Sequence, residues 1–433
     1  MHNKFIVNTV WIVGGKIFQM FISLIVSMLV TRYLGPSNFG IINYASSIVA
    51  FFTSFCSLGL SAIIVKELVN NRDKEGEILG TSIVMRLVAS FISFLLIIVL
   101  IYSIKPDDKL TIIVVILQSI SLLFNAFDIF VYWYQSNLQS KYITIAQTIA
   151  YIFMTIYKII ILISQKGVEW FAFSTSLDII LIAIILMLFY KKNSGDKLTF
   201  NKKWIKVLLR QSYPFIVSGI MLTIYGQMDK IMIGEMMDTT SVGLYSVAIT
   251  ITGIWSFIPI AFIESARPII MEKKRQNDNA MYITRIKQLY AFIIWMCIFY
   301  GIFITFFSKY IILILYGENY IGAAPALSIV VWYCAFSYLG SAKNIWLICE
   351  NKNKYEQFFT FTGAITNVIL NFLLIPQLGI VGAALATLIT QIVTNVLLLF
   401  LFRETRENGI LIVESFLLKG VKIKELFKTI KFK

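Results

Sequence analysis

Two adjacent charges, Asp229 and Lys230, interrupt an apolar stretch that begins at Tyr213 and reads YPFIVSGIMLTIYGQMDK. A charge at membrane depth is costly and is tolerated where it faces a bundle interior or a wet cavity. Lys16, Arg86, Lys158 and Lys343 stand in other apolar stretches, and Asp128, Asp178 and Glu264 roughly match them in charge. Groups of this kind suit recognition: an ammonium holds an anion, hydroxyls and amides hold polar ligands, and a carboxylate holds a proton or another cation. Lys16 lies roughly 9 residues into its span, about 12 Å along a helix in a core about 30 Å thick. Either an anionic ligand or an acidic neighbour such as Glu264 or Asp128 would satisfy it. Lys230, Lys158 and Arg86 lie nearer the membrane faces, so their side chains are expected to snorkel outward. Asp229 suits two roles, a helix-to-helix hydrogen-bond anchor or a carrier of protons or sodium ions.

Covalent chemistry finds no comparable support. His2 is the single histidine and sits at the terminus, which disfavours a Ser-His-Asp triad or a histidine metal cluster. Cys56, Cys297, Cys334 and Cys349 lie within or at the ends of apolar stretches without CxxC spacing, and they read as small buried apolar residues. Gly14-Gly15-Lys16 lacks the earlier glycine and the following hydroxyl of a phosphate loop. No catalytic residue, cofactor or metal is expected.

The elements that must position these charges are membrane helices. The chain has 433 residues, 58% hydrophobic and 14% charged, against about 25% charged in a soluble domain. Apolar residues come in blocks of roughly twenty, the length of a helix that spans the hydrocarbon core. Twelve spans follow, at 8–30, 39–63, 81–104, 110–133, 143–163, 169–190, 213–235, 242–265, 287–308, 325–348, 357–376 and 380–402. The first is too long for a signal-peptide core and lacks a small-x-small cleavage site, so it reads as retained. The net charge of +15 reflects topology rather than nucleic acid. Five Lys and Arg lie in the loops of one side and 28 on the other, which places both termini in the cytoplasm. The linker at 191–211 divides the chain into lobes at 1–200 and 201–433; its Lys202–Arg210 segment reads as a basic amphipathic helix on the inner leaflet, and the tail 414–433 has the same character.

The halves look like repeats. A shift of 203 residues lays Gly40–Ala45 on Gly243–Ala248, and six spans per half make the repeat parallel, with its pseudo-two-fold axis along the membrane normal. Helical spacing adds matched stripes of small and polar residues. Span 1 carries Thr9, Lys16, Met20, Ser23 and Ser27, with Gln19 beside them; span 7 carries Ser212, Gly219, Thr223, Gly226 and Lys230. Span 2 carries Asn43, Ser47, Ala50, Ser54 and Ser61; span 8 carries Ser246, Thr250, Gly253, Phe257 and Glu264. Close packing through small residues would produce such stripes too. The cavity reading gives the candidates Lys16, Gln19, Ser23, Ser27, Asn43, Ser47, Thr223, Tyr225, Asp229, Lys230, Thr250 and Glu264. The stripe Thr360, Gly363, Asn367, Asn371 in span 11 reads as packing.

Four stretches carry a resemblance. They are Arg32–Gly40 (RYLGPSNFG), span 7 with its turn and VGLYS, Tyr316–Pro325 (YGENYIGAAP), and Asn367–Pro376 (NVILNFLLIP) with Gly379 and Gly382-Ala383-Ala384. Each is weak alone, but together they cover nearly the whole chain in order. The sequence resembles the polysaccharide transporters, the O-antigen (Wzx-type) flippases of lipid-linked oligosaccharides. That resemblance implies an all-α membrane protein of two six-helix lobes with a cavity between spans 1, 2, 7 and 8. It implies movement of a polyprenyl-diphosphate-linked oligosaccharide from the inner to the outer leaflet of a bacterial cytoplasmic membrane by alternating access. The partners implied are that lipid, the membrane, a coupling ion (H+ or Na+) and other polysaccharide assembly proteins. A related multidrug or cation exporter would favour a net acidic cavity. A membrane polymerase or glycosyltransferase would need paired carboxylates in a large outer loop, and the loop at 309–324 offers only Lys309 and Glu318 as charged groups.

Overall fold

Gly35, at φ 70° and ψ 170°, breaks the first long helix, α1 (His2–Ser57), where the sequence places the turn between the first two spans. Only glycine takes that conformation without strain, and Pro36 behind it has no N–H to offer the preceding turn. The computed structural model describes residues 22–193 and 196–420. By contacts the chain divides into two compact units, 1–220 and 221–433.

The first unit continues with α2 (Ser61–Asn70), α3 (Glu75–Ile104), α4 (Lys109–Asn125), α5 (Ile129–Ser136), α6 (Lys141–Ile163) and α7 (Val168–Lys192), and it holds the start of α8 (Lys202–Met236). Gln118 ties three helices together. Its amide oxygen accepts from Ser46 Oγ at 3.0 Å, and its nitrogen donates to Ile42 O at 3.3 Å. Its backbone carbonyl lies 3.1 Å from Ser176 Oγ of α7, and the same hydroxyl donates to the adjoining Leu117 carbonyl at 2.5 Å. With no water inside such a bundle, small hydroxyls that let backbones approach and then bond across are the economical contact.

The linker lies against α3. Thr199 N donates to Gly76 O at 3.1 Å, Asn201 N to Thr81 Oγ1 at 3.0 Å, and Asn201 Nδ2 to Glu77 Oε2 at 2.7 Å. Gly76 and Gly80 permit this, because a Cβ on Gly80 would stand 2.8 Å from the backbone nitrogen of Thr199. The Lys202–Arg210 segment continues into span 7 as one helix. Its Trp204 and Leu208 are buried in the core of the first unit while its lysines stay exposed. The amphipathic reading holds in pattern, but the apolar face is covered by protein rather than by lipid.

The second unit contains α9 (Thr239–Gly253), α10 (Phe257–Arg275), α11 (Asn279–Tyr316), α12 (Ala324–Val330), α13 (Tyr333–Cys349), α14 (Lys354–Leu378), α15 (Ile380–Asn395) and α16 (Arg406–Phe416). Asp238, in the polar turn foreseen before span 8, caps α9 by accepting from Ser241 N at 2.7 Å. Pro376 does not end its helix as its residue type suggests. α14 runs to Leu378, and Gly379, at φ 60°, stops it. The loop expected at 309–324 is mostly helical, since α11 reaches Tyr316 and a short 3-10 helix covers Glu318–Ala323.

Phe299 and Phe306 of α11 are 76% and 79% exposed. A row of such rings in water would forfeit about 1.5–3 kcal/mol each. Against hydrocarbon that cost vanishes, while Ser82, Ser90, Gln118 and Ser176 are turned inward. Among the described residues, nine helices are long and apolar enough to cross a membrane, and eleven if each of two bent helix pairs is one span. The first of the nine, Ile22–Asn70, includes the Gly35 break. Reporter fusions test the orientation inferred from the basic residues. Fusions at Lys202 and Arg403 should be active as cytoplasmic reporters and those at Lys105 and Asp238 as external ones. A cytoplasmic signal at Asp238 would contradict it.

Candidate functional site

Within the first unit, α1, α6 and α7 line an open cavity of about 650 Å³. Ser23, Ser27 and Thr31 face it from α1; Gln147, Tyr151, Thr155 and Lys158 from α6; and Ser174, Thr175 and Asp178 from α7. Its size is that of a small-molecule site, and its hydroxyls, amide and phenol are groups that bond sugars. Lys158 and Asp178 are each other's charge partner. Neither reaches out of the bundle as the snorkelling expectation had Lys158 do. A signal for this face was present in the sequence: Gln147, Tyr151, Thr155 and Lys158 recur at 4, 4 and 3 residues.

Asp229 organises the second unit. It is 6% exposed. One carboxylate oxygen accepts from Asn371 Nδ2 of α14 at 2.5 Å. The other accepts from Tyr245 OH of α9 at 2.8 Å and Thr387 Oγ1 of α15 at 2.6 Å. Asn371 also donates to Asn367 Oδ1 at 3.1 Å, which leaves Asn371 Oδ1 and Asn367 Nδ2 buried without partners. The stripe of span 11 that reads as packing thus supplies the carboxylate's neighbours. Sequence spacing put Asn367 and Asn371 on one face, but nothing in the sequence said that the face meets Asp229. The groups gathered here carry one formal negative charge, which suits a monovalent cation better than a divalent one. Among the described residues no group of three or more His, Cys, Asp or Glu could hold a metal ion, and all four cysteines are free thiols.

Lys343 forms a second buried centre in the same unit. It is fully buried, with Nζ 3.0 Å from Glu356 Oε2, 3.1 Å from Asn395 Oδ1 and 4.8 Å from the centre of the Phe359 ring.

The remaining sequence candidates scatter. Lys16 and Gln19 lie outside the described residues. Ser47 is fully buried and bonds the carbonyl of Asn43 at 2.9 Å, while Asn43 bonds that of Phe39 at 2.9 Å. Thr250, which the 203-residue shift pairs with Ser47, bonds Ser246 O at 2.8 Å in the same way but is exposed. Thr223, Tyr225 and Lys230 are half-buried. Glu264 is exposed and paired with Arg267 on its own helix at 2.7 Å, and Asp128 faces Arg86 at 3.9 Å, so both carboxylates weighed as partners for Lys16 have other cations. Arg86 itself is 2% exposed, which corrects the expectation that it snorkels. A helix break at 126–128 brings Asp128 to it instead.

An apolar exterior around polar interior centres, in two helical units, defines a polytopic helical membrane fold. Solved structures share it. The lipid II flippase MurJ in an inward closed conformation matches at a TM-score of 0.70 and 16% identity, over 96% of this chain and 92% of that one. An inward-facing multidrug resistance MATE family transporter of the MOP superfamily matches at 0.66 and 14%, over 95% and 96%. By sequence, the probable flippase AglR of Haloferax volcanii is 26% identical over 197 residues, 45% of this chain and 39% of that protein. An uncharacterized membrane protein of Methanocaldococcus jannaschii is 24% identical over 226 residues, 50% of this chain and 45% of that one. The chain thus matches less than half the length of these curated relatives. The polysaccharide biosynthesis protein family matches residues 5–274. The chain belongs to that family, and its fold is that of the MOP-superfamily transporters.

Proposed function

We propose that this protein is a flippase that carries a polyprenyl-diphosphate-linked oligosaccharide, an O-antigen or other surface polysaccharide repeat unit, from the inner to the outer leaflet of a bacterial cytoplasmic membrane. The observation that carries this reading is the cavity of the first unit, where hydroxyls, an amide, a phenol and the opposite charges of Lys158 and Asp178 are set among apolar side chains such as Leu34, Phe39 and Phe171. Sugars are bound by such groups, and their hydration shell is replaced hydroxyl by hydroxyl without net charge. A multidrug exporter for cations is less well served, because Lys158 offsets Asp178.

In this reading the polyprenyl tail stays in lipid, no bond is made or broken, and the two leaflets gain access in turn. Movement against a gradient needs a driving ion. Asp229, with the amide nitrogen of Asn371 and the hydroxyls of Thr387 and Tyr245 around it, is the coupling site for a monovalent cation, sodium or a proton.

Lys16 is assigned to the diphosphate. Lys16→Ala should abolish transport with the protein still inserted and abundant, and Lys16→Arg should retain part of it. The readout is lipid-linked intermediate resolved by leaflet in a strain expressing the variant at native level. Normal surface polysaccharide from the Lys16→Ala strain would remove this role. Accumulation of intermediate on the inner leaflet when the whole gene is disrupted tests the function itself; dye accumulation without a polysaccharide defect would favour the exporter.

A further inference from the structure

The second unit holds four buried polar atoms that line up along α14. They are the Tyr225 hydroxyl and Thr394 Oγ1, which face each other, and Asn367 Nδ2 and Asn371 Oδ1, which have no hydrogen-bond partner. Tyr225 stands one turn before Asp229 on α8, and Thr394 stands two turns beyond Thr387 on α15. Between them α14 presents Gly363, then Asn367, then Asn371. At the far end of the row Glu356, 29% exposed at its side chain, pairs with Lys343. From Glu356 to Asn371 the row is about 22 Å long at 1.5 Å per residue.

A buried polar group left without a partner is costly if it stays dry. Two such groups, beside a facing pair of hydroxyls, are accounted for together by water or a cation passing among them. Gly363 lies against both hydroxyl-bearing residues: a Cβ there would lie 2.6 Å from Thr394 Oγ1 and 3.4 Å from Tyr225 Cε2, so any side chain would press into the row.

We propose that this row is the route by which sodium reaches Asp229, with the Lys343 ammonium as its gate. The proposal rests on the reading of Asp229 as a coupling site. The seat of Lys343 is itself a cation site: a carboxylate oxygen at 3.0 Å, an amide oxygen at 3.1 Å, the Thr394 carbonyl at 3.5 Å and the face of Phe359. While the ammonium occupies it, a second cation is repelled from the mouth. When Lys343 swings toward solvent with Glu356, the seat becomes the first station of the route. Asn395, which holds Lys343, also donates to Gln391 Oε1 at 2.7 Å, so its carbonyl is kept turned toward the lysine.

The test uses the full-length protein in nanodiscs, with cysteines at Asn367 (beyond Gly363) and at Glu356 (at the mouth). Labelling by cationic and anionic methanethiosulfonates is read by site-resolved mass spectrometry, in sodium or in choline. Asn367→Cys should react with the cationic reagent, and sodium should slow it about tenfold. Adding Gly363→Val should slow Asn367→Cys by a further factor of about ten, or about 1.4 kcal/mol, and leave Glu356→Cys unchanged. Gly363→Ala, the milder plug, should give a smaller slowing in the same direction if Val disturbs folding. Lys343→Met should speed Asn367→Cys. Labelling of Asn367→Cys that neither plug slows overturns the route. Labelling that the plugs slow but sodium does not overturns the assignment of Asp229 to sodium and leaves a path for water alone.

Discussion

Asp229→Asn should leave the protein in the membrane and cut transport by about 100-fold, or about 2.7 kcal/mol. The amide has the same shape as the carboxylate, and Tyr245 and Thr387 can each rotate a hydroxyl to accept where they now donate. The fold of the second unit therefore survives. What is lost is the single negative charge that a cation requires, and the hydroxyls of Tyr245 and Thr387 left around it are neutral ligands of weak affinity. Asp229→Ala is a harsher change. It strands three donors that now point at one carboxylate, each worth about 1–3 kcal/mol when buried and unmatched, so thermal stability should fall with transport. The pair of variants separates the two roles open at Asp229. If Asn is stable and inactive, the charge carries function. If Asn transports normally and only Ala fails, Asp229 is an anchor between helices, and the coupling role is withdrawn. Leaflet-resolved intermediate and the unfolding temperature of the purified variants are the two measurements.

The second large effect is expected at Lys158 and Asp178. They line one cavity from neighbouring helices, and each is the charge that balances the other. Lys158→Met leaves a carboxylate without its cation in a poorly solvated chamber, and Asp178→Asn leaves the reverse. Removing one partner of such a pair is more damaging than removing both. Each single variant should therefore lower stability, and the double variant should recover part of it. A coupling of about 0.5–3 kcal/mol in the double-mutant cycle is the expected scale for groups in one network. Transport should follow a different pattern. All three variants should lose most of it, because a neutral chamber of the same volume no longer carries the two charged donors and acceptors that orient a polyhydroxyl ligand. Transport that recovers in step with stability in the double variant would reduce the pair to a structural contact.

Much of this protein was settled by its sequence. Blocks of about twenty apolar residues dictate membrane helices, because a backbone in lipid must bond within itself. The turn at Gly35-Pro36 and the cap at Asp238 follow from residue types alone, since one needs positive φ and the other needs an oxygen beside free N–H groups. The importance of Asp229 was legible for the same reason: a carboxylate in hydrocarbon must be answered by something. Helical periodicity could also place Asn367 and Asn371 on one face, and Gln147, Tyr151, Thr155 and Lys158 on another. It could not say what each face meets. That Asn371 and Thr387 close on Asp229, that Lys158 finds Asp178 rather than the membrane surface, and that Glu264 turns out to Arg267 depend on contacts between residues distant in the chain or on the rotation of a helix. Periodicity fixes which side chains share a stripe, but the direction of that stripe is set by packing against neighbours, and in this bundle only the tertiary structure decides it.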